Sequence, residues 1–331
     1  MYFPYSLFVL VFYFCLPSLS FPFSKRTISN GPAIASNFPD PAFLEVDGTF
    51  YAFSTTSGKR NVPIATSPSF ATNWTILRNH DALPKLPSWT TGNIWAPSIT
   101  RLPSNGLFVL YFSGTARASR SNHCVGAATS RTITGPFLPH PTPLICDLKA
   151  GGAIDASPFH DPISGTLYLT WKVDGSSLGG GGPCGNADSS HPTPLQIAPL
   201  DPRTGTSFLG PATTLLDRDP DTDGPLIEAP SLAYYAPEKL YILFFSSHCF
   251  NTVFYDTKYA VSRQILGPYV KAKKPLLLSG DFGGKLKSPG GAEVSPDASR
   301  IMFHADRKAG DASVREMWVG ELSVRGGVVT I

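Results

Sequence analysis

Helix-forming material is scarce in this chain of 331 residues. No stretch longer than about a dozen residues sustains a 3.6-residue apolar period, and the 30 glycines and 32 prolines are hostile to helix interiors. Helices are therefore expected only as single turns in loops. Charge is sparse too: Asp, Glu, Lys and Arg make up 15% of the residues, with a net charge of +3. The one basic cluster, Lys271-Ala272-Lys273-Lys274, suits a solvated sheet edge, so nothing supports nucleic acid as a partner. No zinc-ligand spacing exists among the histidines and cysteines. No low-complexity linker divides the chain, and one domain over residues 21–331 is expected, since repeated β architectures exceed the usual domain length.

Charge is absent altogether from the first 20 residues, whose apolar core runs from Leu7 to Leu16. That core is too short for a membrane span, and Ser18-Leu19-Ser20 offers small residues for cleavage. A secretory signal peptide over residues 1–20 is expected, followed by a secreted, extracellular chain without stable membrane association. A retained anchor is the alternative, because no Lys or Arg stands near Met1. Removing the leader takes Cys15 and leaves Cys124, Cys146, Cys184 and Cys249. An even count outside the cytosol suggests two disulfides, and four cysteines allow three pairings. Cys124 and Cys146 are close enough in sequence for a local pair, which leaves Cys184 with Cys249. The sequon Asn73-Trp74-Thr75 fits export.

Strands are what the chain has in abundance. Five short apolar runs begin with Pro- or Gly-flanked heads: Asp40 in FPDPAFLEV, Trp95 in IWAPSITRL, Asp155 in AIDASPFHD, Glu228 in LIEAPSLAYY, and Gly290-Gly291. Each head is followed by a second apolar run (48–56, 106–114, 165–172, 238–247 and 299–306) and then a third. The third runs of the second and fourth units end in matching tails, ATSRTITGPF and AVSRQILGPY. Repeated units of three or four strands describe an all-β, five-bladed β-propeller. A plain β-sandwich would leave the recurring order of head, strand, strand unexplained.

A ring of such units would gather Asp40, Asp155 and Glu228 around one axis. Glycoside hydrolysis needs an acid for the leaving oxygen and a second carboxylate to activate water or attack carbon. A third carboxylate nearby raises the acid's pKa by like-charge repulsion. The bland reading of each Asp is a turn cap; caps have no reason to recur at one place in a repeat. Other motifs fail on context. Gly175-Ser176-Ser177-Leu178-Gly179 runs into more glycine rather than a helix, so it is no nucleophile elbow. The acidic turn from Asp219 to Gly224 lacks the twelfth ligand of a calcium loop, where Pro230 stands.

NFPDPAFLEVDGTFYAFST, WAPSI, AIDASPF, IEAPSL and MFHAD, in this order and spacing, resemble glycoside hydrolase family 43, which holds arabinofuranosidases, arabinanases and β-xylosidases on five-bladed propellers. The resemblance covers the chain from about Asn37 onward. It implies an inverting mechanism with Asp40 as general base, Glu228 as general acid and Asp155 tuning the acid. It also implies that Trp95 flanks the sugar, with Phe38 a further sugar contact. His304 would then sit near the axis, touching substrate or a structural calcium ion, with no cofactor required for catalysis. Taken without the resemblance, Trp95 serves equally as a core aromatic and His304 as a satisfied core histidine. The fifth unit departs from the pattern by carrying Glu293.

Family β-xylosidases commonly carry an added C-terminal β-sandwich, whereas this chain ends at Ile331 after its fifth unit. The resemblance therefore favours an α-L-arabinofuranosidase or exo-arabinanase acting as a monomer on arabinan or arabinoxylan. A β-xylosidase, an endo-arabinanase and an inactive carbohydrate-binding propeller are the alternatives.

Overall fold

A computed structural model describes Met1 and residues 27–331 except 120, 183, 188 and 189. The leader expected over residues 1–20 lies outside the described residues, Met1 apart. The architecture is a five-bladed β-propeller of five four-stranded antiparallel sheets, with a two-stranded hairpin (Ser323–Arg325, Val328–Thr330) beside them. The first blade holds Ala42–Val46, Thr49–Phe53, Ile64–Ser67 and Thr75–Ile76. The second holds Trp95–Arg101, Phe108–Thr115, His123–Ser130 and Leu138–Pro139. The third holds Ala153–His160, Leu167–Val173, Leu195–Leu200 and Thr213–Leu216. The fourth holds Ile227–Tyr235, Leu240–Ser247, Asp256–Ser262 and Val270–Lys271.

The fifth blade closes the ring. Its strands Gly290–Val294, Arg300–Lys308 and Asp311–Glu321 are completed at the outer edge by Ile34–Asn37, which precedes the first blade in sequence. The first-listed strand of each blade touches that of the next, and Gly290–Val294 touches Ala42–Val46, so five inner strands surround one axis. Helices among the described residues are single turns, as expected from the glycine and proline content.

The core is divided like the blades. Second strands are buried on both faces: all eight residues of Phe108–Thr115 and all eight of Leu240–Ser247 are buried. Alternate side chains of such a strand face opposite neighbours. Leu110 and Phe112 pack towards the first blade, with Phe53 and Ile64, while Val109 and Tyr111 pack towards the third, with Leu167 and Leu169. Leu243 and Phe245 likewise face the third blade, and Ile242 and Phe244 face Phe303 of the fifth. Two-faced burial is why these runs read as continuous apolar stretches rather than as polar–apolar alternation.

Cys124 is joined to Cys146 and Cys184 to Cys249, the pairing that position along the chain favours. The first bond closes a separation of 22 residues within a blade; the second spans 65 residues and ties a loop of the third blade to one of the fourth. Replacing either pair with serines should lower the free energy of unfolding in urea by about 2–4 kcal/mol, chiefly by freeing the unfolded chain. Non-reducing peptide mapping should find these two bridges only; a crossed pair or free thiols would contradict the arrangement.

Candidate active site

Each inner strand enters the axis through a backbone kink. One residue per blade adopts a positive φ: Asp40 (48°), Ala96 (40°), Asp155 (59°), Ala229 (53°) and Gly291 (57°). The register slips immediately after the kinks of the second to fifth blades. Left-handed backbone costs an L-residue roughly 1–2 kcal/mol, with Asp tolerating it better than most. The kinks correct one expectation. Asp40 and Asp155 do occupy equivalent positions, but Glu228 and Trp95 sit one residue earlier, with Ala229 and Ala96 in the kinks. The landmark that misled is the proline following the kink: it comes directly after Asp40, whereas an alanine intervenes in Trp95-Ala96-Pro97 and Glu228-Ala229-Pro230.

A repeated hydrogen bond anchors the kinks. Ala96 donates its N–H to Thr55 Oγ1 (2.8 Å), Asp155 to Ser113 Oγ (3.1 Å), Gly291 to Ser246 Oγ (2.9 Å), and Asp40 to His304 Nδ1 (3.1 Å). Every acceptor sits on, or just beyond, the second strand of the preceding blade, and His304 closes the circle from fifth blade to first. At the fourth kink the N–H of Ala229 goes instead to Asp155 Oδ2 (2.9 Å).

Asp40, Asp155, Glu228 and Trp95 all line one pocket, together with Glu293 and Phe250. Asp40 accepts from Thr55 Oγ1 (2.6 Å) at Oδ2 and from Arg315 at Oδ1 (3.0 Å) and Oδ2 (3.3 Å). Burial alone would raise its carboxyl, but the Arg315 guanidinium and the bonds to it outweigh burial and hold it well below the usual carboxylate range. Asp155 differs: burial first, and then the charge of Glu228, push its carboxyl well above the usual range. Glu228 accepts from Tyr255 Oη at Oε1 (2.9 Å) and from Lys172 Nζ at Oε2 (3.2 Å). Burial would lower the Lys172 ammonium, yet Asp174, Glu228 and Asp155 outweigh it and keep the lysine charged. The pocket thus holds one firmly ionised carboxylate, Asp40, and a second carboxyl, Asp155, that burial and the charge of Glu228 bias towards the protonated form.

The aromatic walls are built in layers. Trp95 is 38% exposed and rests on the His123 ring, centroids 3.7 Å apart and planes 22° apart. Burial pushes His123 down to about 4, so the support is neutral. Phe250 covers the Arg315 guanidinium at 5.2 Å. His123, Lys172, Tyr255, Phe250 and Arg315 escaped sequence reasoning; only Lys172, a charge inside the apolar run GTLYLTWK, left a signal there.

Two expected sugar contacts are corrected. Phe38 is fully buried among Phe50, Phe70 and Met302 between the first and fifth blades, because the chain turns its ring away from the axis before reaching Asp40. His304 is also fully buried and is not part of the lining of this pocket; its Nδ1 is committed to the Asp40 N–H. That bond puts the ring proton on Nε2, which has no partner among the described residues and no lone pair for a metal. Nor do three His, Cys, Asp or Glu side chains converge in metal-binding geometry among the described residues. The donor set does not fit a calcium ion held directly by protein.

Glu293 stands on the inner strand of the fifth blade and accepts from Ser98 Oγ (3.2 Å) and Ser157 Oγ (3.2 Å), so it ties three blades together at the axis. Burial raises its carboxyl to about 7, against a small opposing effect of the two serines. A folded pKa raised from 4.5 gives stability that is intact below pH 4.5 and lost as pH rises through 7. At one pKa unit per 1.36 kcal/mol, that loss amounts to at most about 3 kcal/mol. Glu293→Gln removes it, so the stability advantage of this variant should grow between pH 4.5 and 8 in paired urea titrations. A difference independent of pH would show that Glu293 ionises freely.

A family model described as "Glycosyl hydrolases family 43" matches residues 29–325. A thermostable family-43 glycoside hydrolase superposes with a TM-score of 0.74 at 21% identity, covering 92% of this chain and 95% of that one. An endo-1,4-beta-xylanase from Bacteroides thetaiotaomicron gives 0.70 at 25% identity, with 90% and 96% covered. An endo-arabinanase from Bacillus licheniformis gives 0.66 at 22% identity, with 92% and 99% covered. The search of curated proteins found no match.

Proposed function

The chain belongs to glycosyl hydrolases family 43, and from that premise we propose that it is an inverting glycosidase removing α-L-arabinofuranosyl residues from arabinan or arabinose-substituted plant cell-wall polysaccharides. The observation that carries this reading is the unequal electrostatic treatment of three carboxylates in one pocket. Environments that drive titratable groups apart mark out an acid and a base. Asp40, ionised and clamped by Arg315, is suited to take a proton from water. As it does so, the water oxygen bonds to the anomeric carbon and the glycosidic C–O bond breaks. Glu228 gives its proton to the departing oxygen, and Asp155 beside it tunes the acid. Trp95, stiffened by His123, offers the face on which the sugar ring stacks.

Arabinan is favoured because relatives of this fold include endo-arabinanases and an exo-1,5-alpha-L-arabinanase. The xylanase and a xylan beta-1,4-xylosidase make xylosides the contrasting outcome. Export to the extracellular space is part of the proposal, on the strength of the uncharged leader sequence and two disulfides. So is catalysis by a monomer that requires no cofactor.

Aryl α-L-arabinofuranoside, aryl β-D-xyloside and linear arabinan should separate the readings, with hydrolysis of the first and third expected. NMR of the first-formed sugar should show inverted anomeric configuration; retention would make Asp40 a nucleophile. Asp40→Ala should abolish turnover of all substrates. Glu228→Ala should cost about 10²–10⁴-fold on poor leaving groups and far less on activated aryl glycosides. Equal losses on both would remove Glu228 as the acid.

A further inference from the structure

Lys172 breaks the ring of kink-anchoring bonds. It pairs with Ile154, the residue before the third kink, just as Ser113, Ser246 and His304 pair with Trp95, Glu228 and Gly290. Side chains at that position in the other blades accept the N–H of the next kink. An ammonium has three donors and no lone pair, so it cannot. The task passes to Asp155, whose Oδ2 takes the Ala229 N–H. All three lysine protons are then spent elsewhere: on Asp174 Oδ1 (3.0 Å), Ser176 Oγ (3.1 Å) and Glu228 Oε2 (3.2 Å). The side chain is 2% exposed, and burying an ammonium costs several kcal/mol before its partners are counted. A serine here would anchor the kink without that cost, as in the neighbouring blades.

We propose that Lys172 is a positioning residue for the acid: its ammonium fixes the Glu228 carboxyl in the pocket and sets the upper pH at which Glu228 still delivers a proton. The proposal rests on the assignment of Glu228 as acid. Glu228 is faced by Lys172 and, behind it, Asp174 from the second strand and following loop of the third blade. Asp155 faces it from the inner strand of that blade, and Tyr255 from the loop ahead of the third strand of its own blade. Asp40, with Arg315 and His304 beside it, lines the same pocket. Among the described residues, Lys172 is the cation in contact with Glu228. Asp174 competes for its charge.

The test is the pH dependence of kcat on a phenyl and a dinitrophenyl α-L-arabinofuranoside for the wild type, Lys172→Met and Asp174→Asn. A neighbouring cation favours the ionised carboxylate, so losing it should move the alkaline limb upward by about one pH unit. Asp174→Asn leaves more of the lysine charge to Glu228, so the limb should move downward. Both shifts should appear with phenol as leaving group and vanish with dinitrophenol, which departs without a proton. A lysine that merely supports the fold predicts unmoved limbs and equal losses on both substrates, and that result overturns the proposal. If Lys172→Met does not fold, Asp174→Asn decides alone, and an unmoved limb there is equally fatal. A wild type inactive on both glycosides overturns the functional reading, whereas an active wild type with unmoved limbs overturns only the role of Lys172.

Discussion

The hydrogen bond from each kink N–H to the blade before it is the constraint on which the site depends. A left-handed Asp or Ala is held only where its surroundings over-determine it, and an acceptor on or just beyond the neighbouring second strand supplies that restraint at four heads, with Asp155 supplying it at the fourth blade's. The same bond couples adjacent blades, so the positions of the carboxylates follow from ring closure rather than from any one sheet. Asp40 is the extreme case. Its backbone is held by His304 and its carboxylate by Arg315, both on the fifth blade, whose edge strand Ile34–Asn37 arrives from the chain just ahead of Asp40. The residue proposed as base is thus fixed by the junction that closes the propeller.

Electrostatics then separates three acids that the fold brings together. Burial first, and then repulsion from the Glu228 charge, favour the protonated form of Asp155. Lys172, bonded to Glu228 Oε2, opposes that push, since its charge also favours the ionised form of Asp155. Asp40 has Arg315 to itself and needs no proton.

Fold and ring order were legible because two-faced burial writes itself as apolar runs bounded by glycine and proline, five times over. The three carboxylates were legible because they head those runs, and the pairing of Cys124 with Cys146 because the two are close in sequence. The phase of the kink was not: proline marks the residue after the kink, and whether the functional side chain is in the kink or ahead of it depends on backbone dihedrals. His304 was read as a substrate or calcium contact from the family resemblance, whereas its apolar neighbours pointed to a core histidine, and only the packed ring shows its Nδ1 turned onto the Asp40 main chain. Arg315 and Tyr255 act from strands and loops remote in sequence from the carboxylates they serve, so no local pattern could mark them.

The fifth unit, which matches the repeat least well, owes its glycines to this arrangement. A Cβ on Gly290 would fall inside the Tyr255 ring, the ring that donates to Glu228. A Cβ on Gly291 would stand 2.7 Å from the His304 ring and 2.8 Å from Asp40 Oδ1. The head that lacks a carboxylate is therefore the one that makes room for the groups aligning the others: Tyr255 against the proposed acid, and His304 against the proposed base. With no side chain at its head, the blade places its own acid, Glu293, two residues further along, where serines of the second and third blades hold it. Loss of the repeat's signature in that unit and completion of the site by it have the same steric cause.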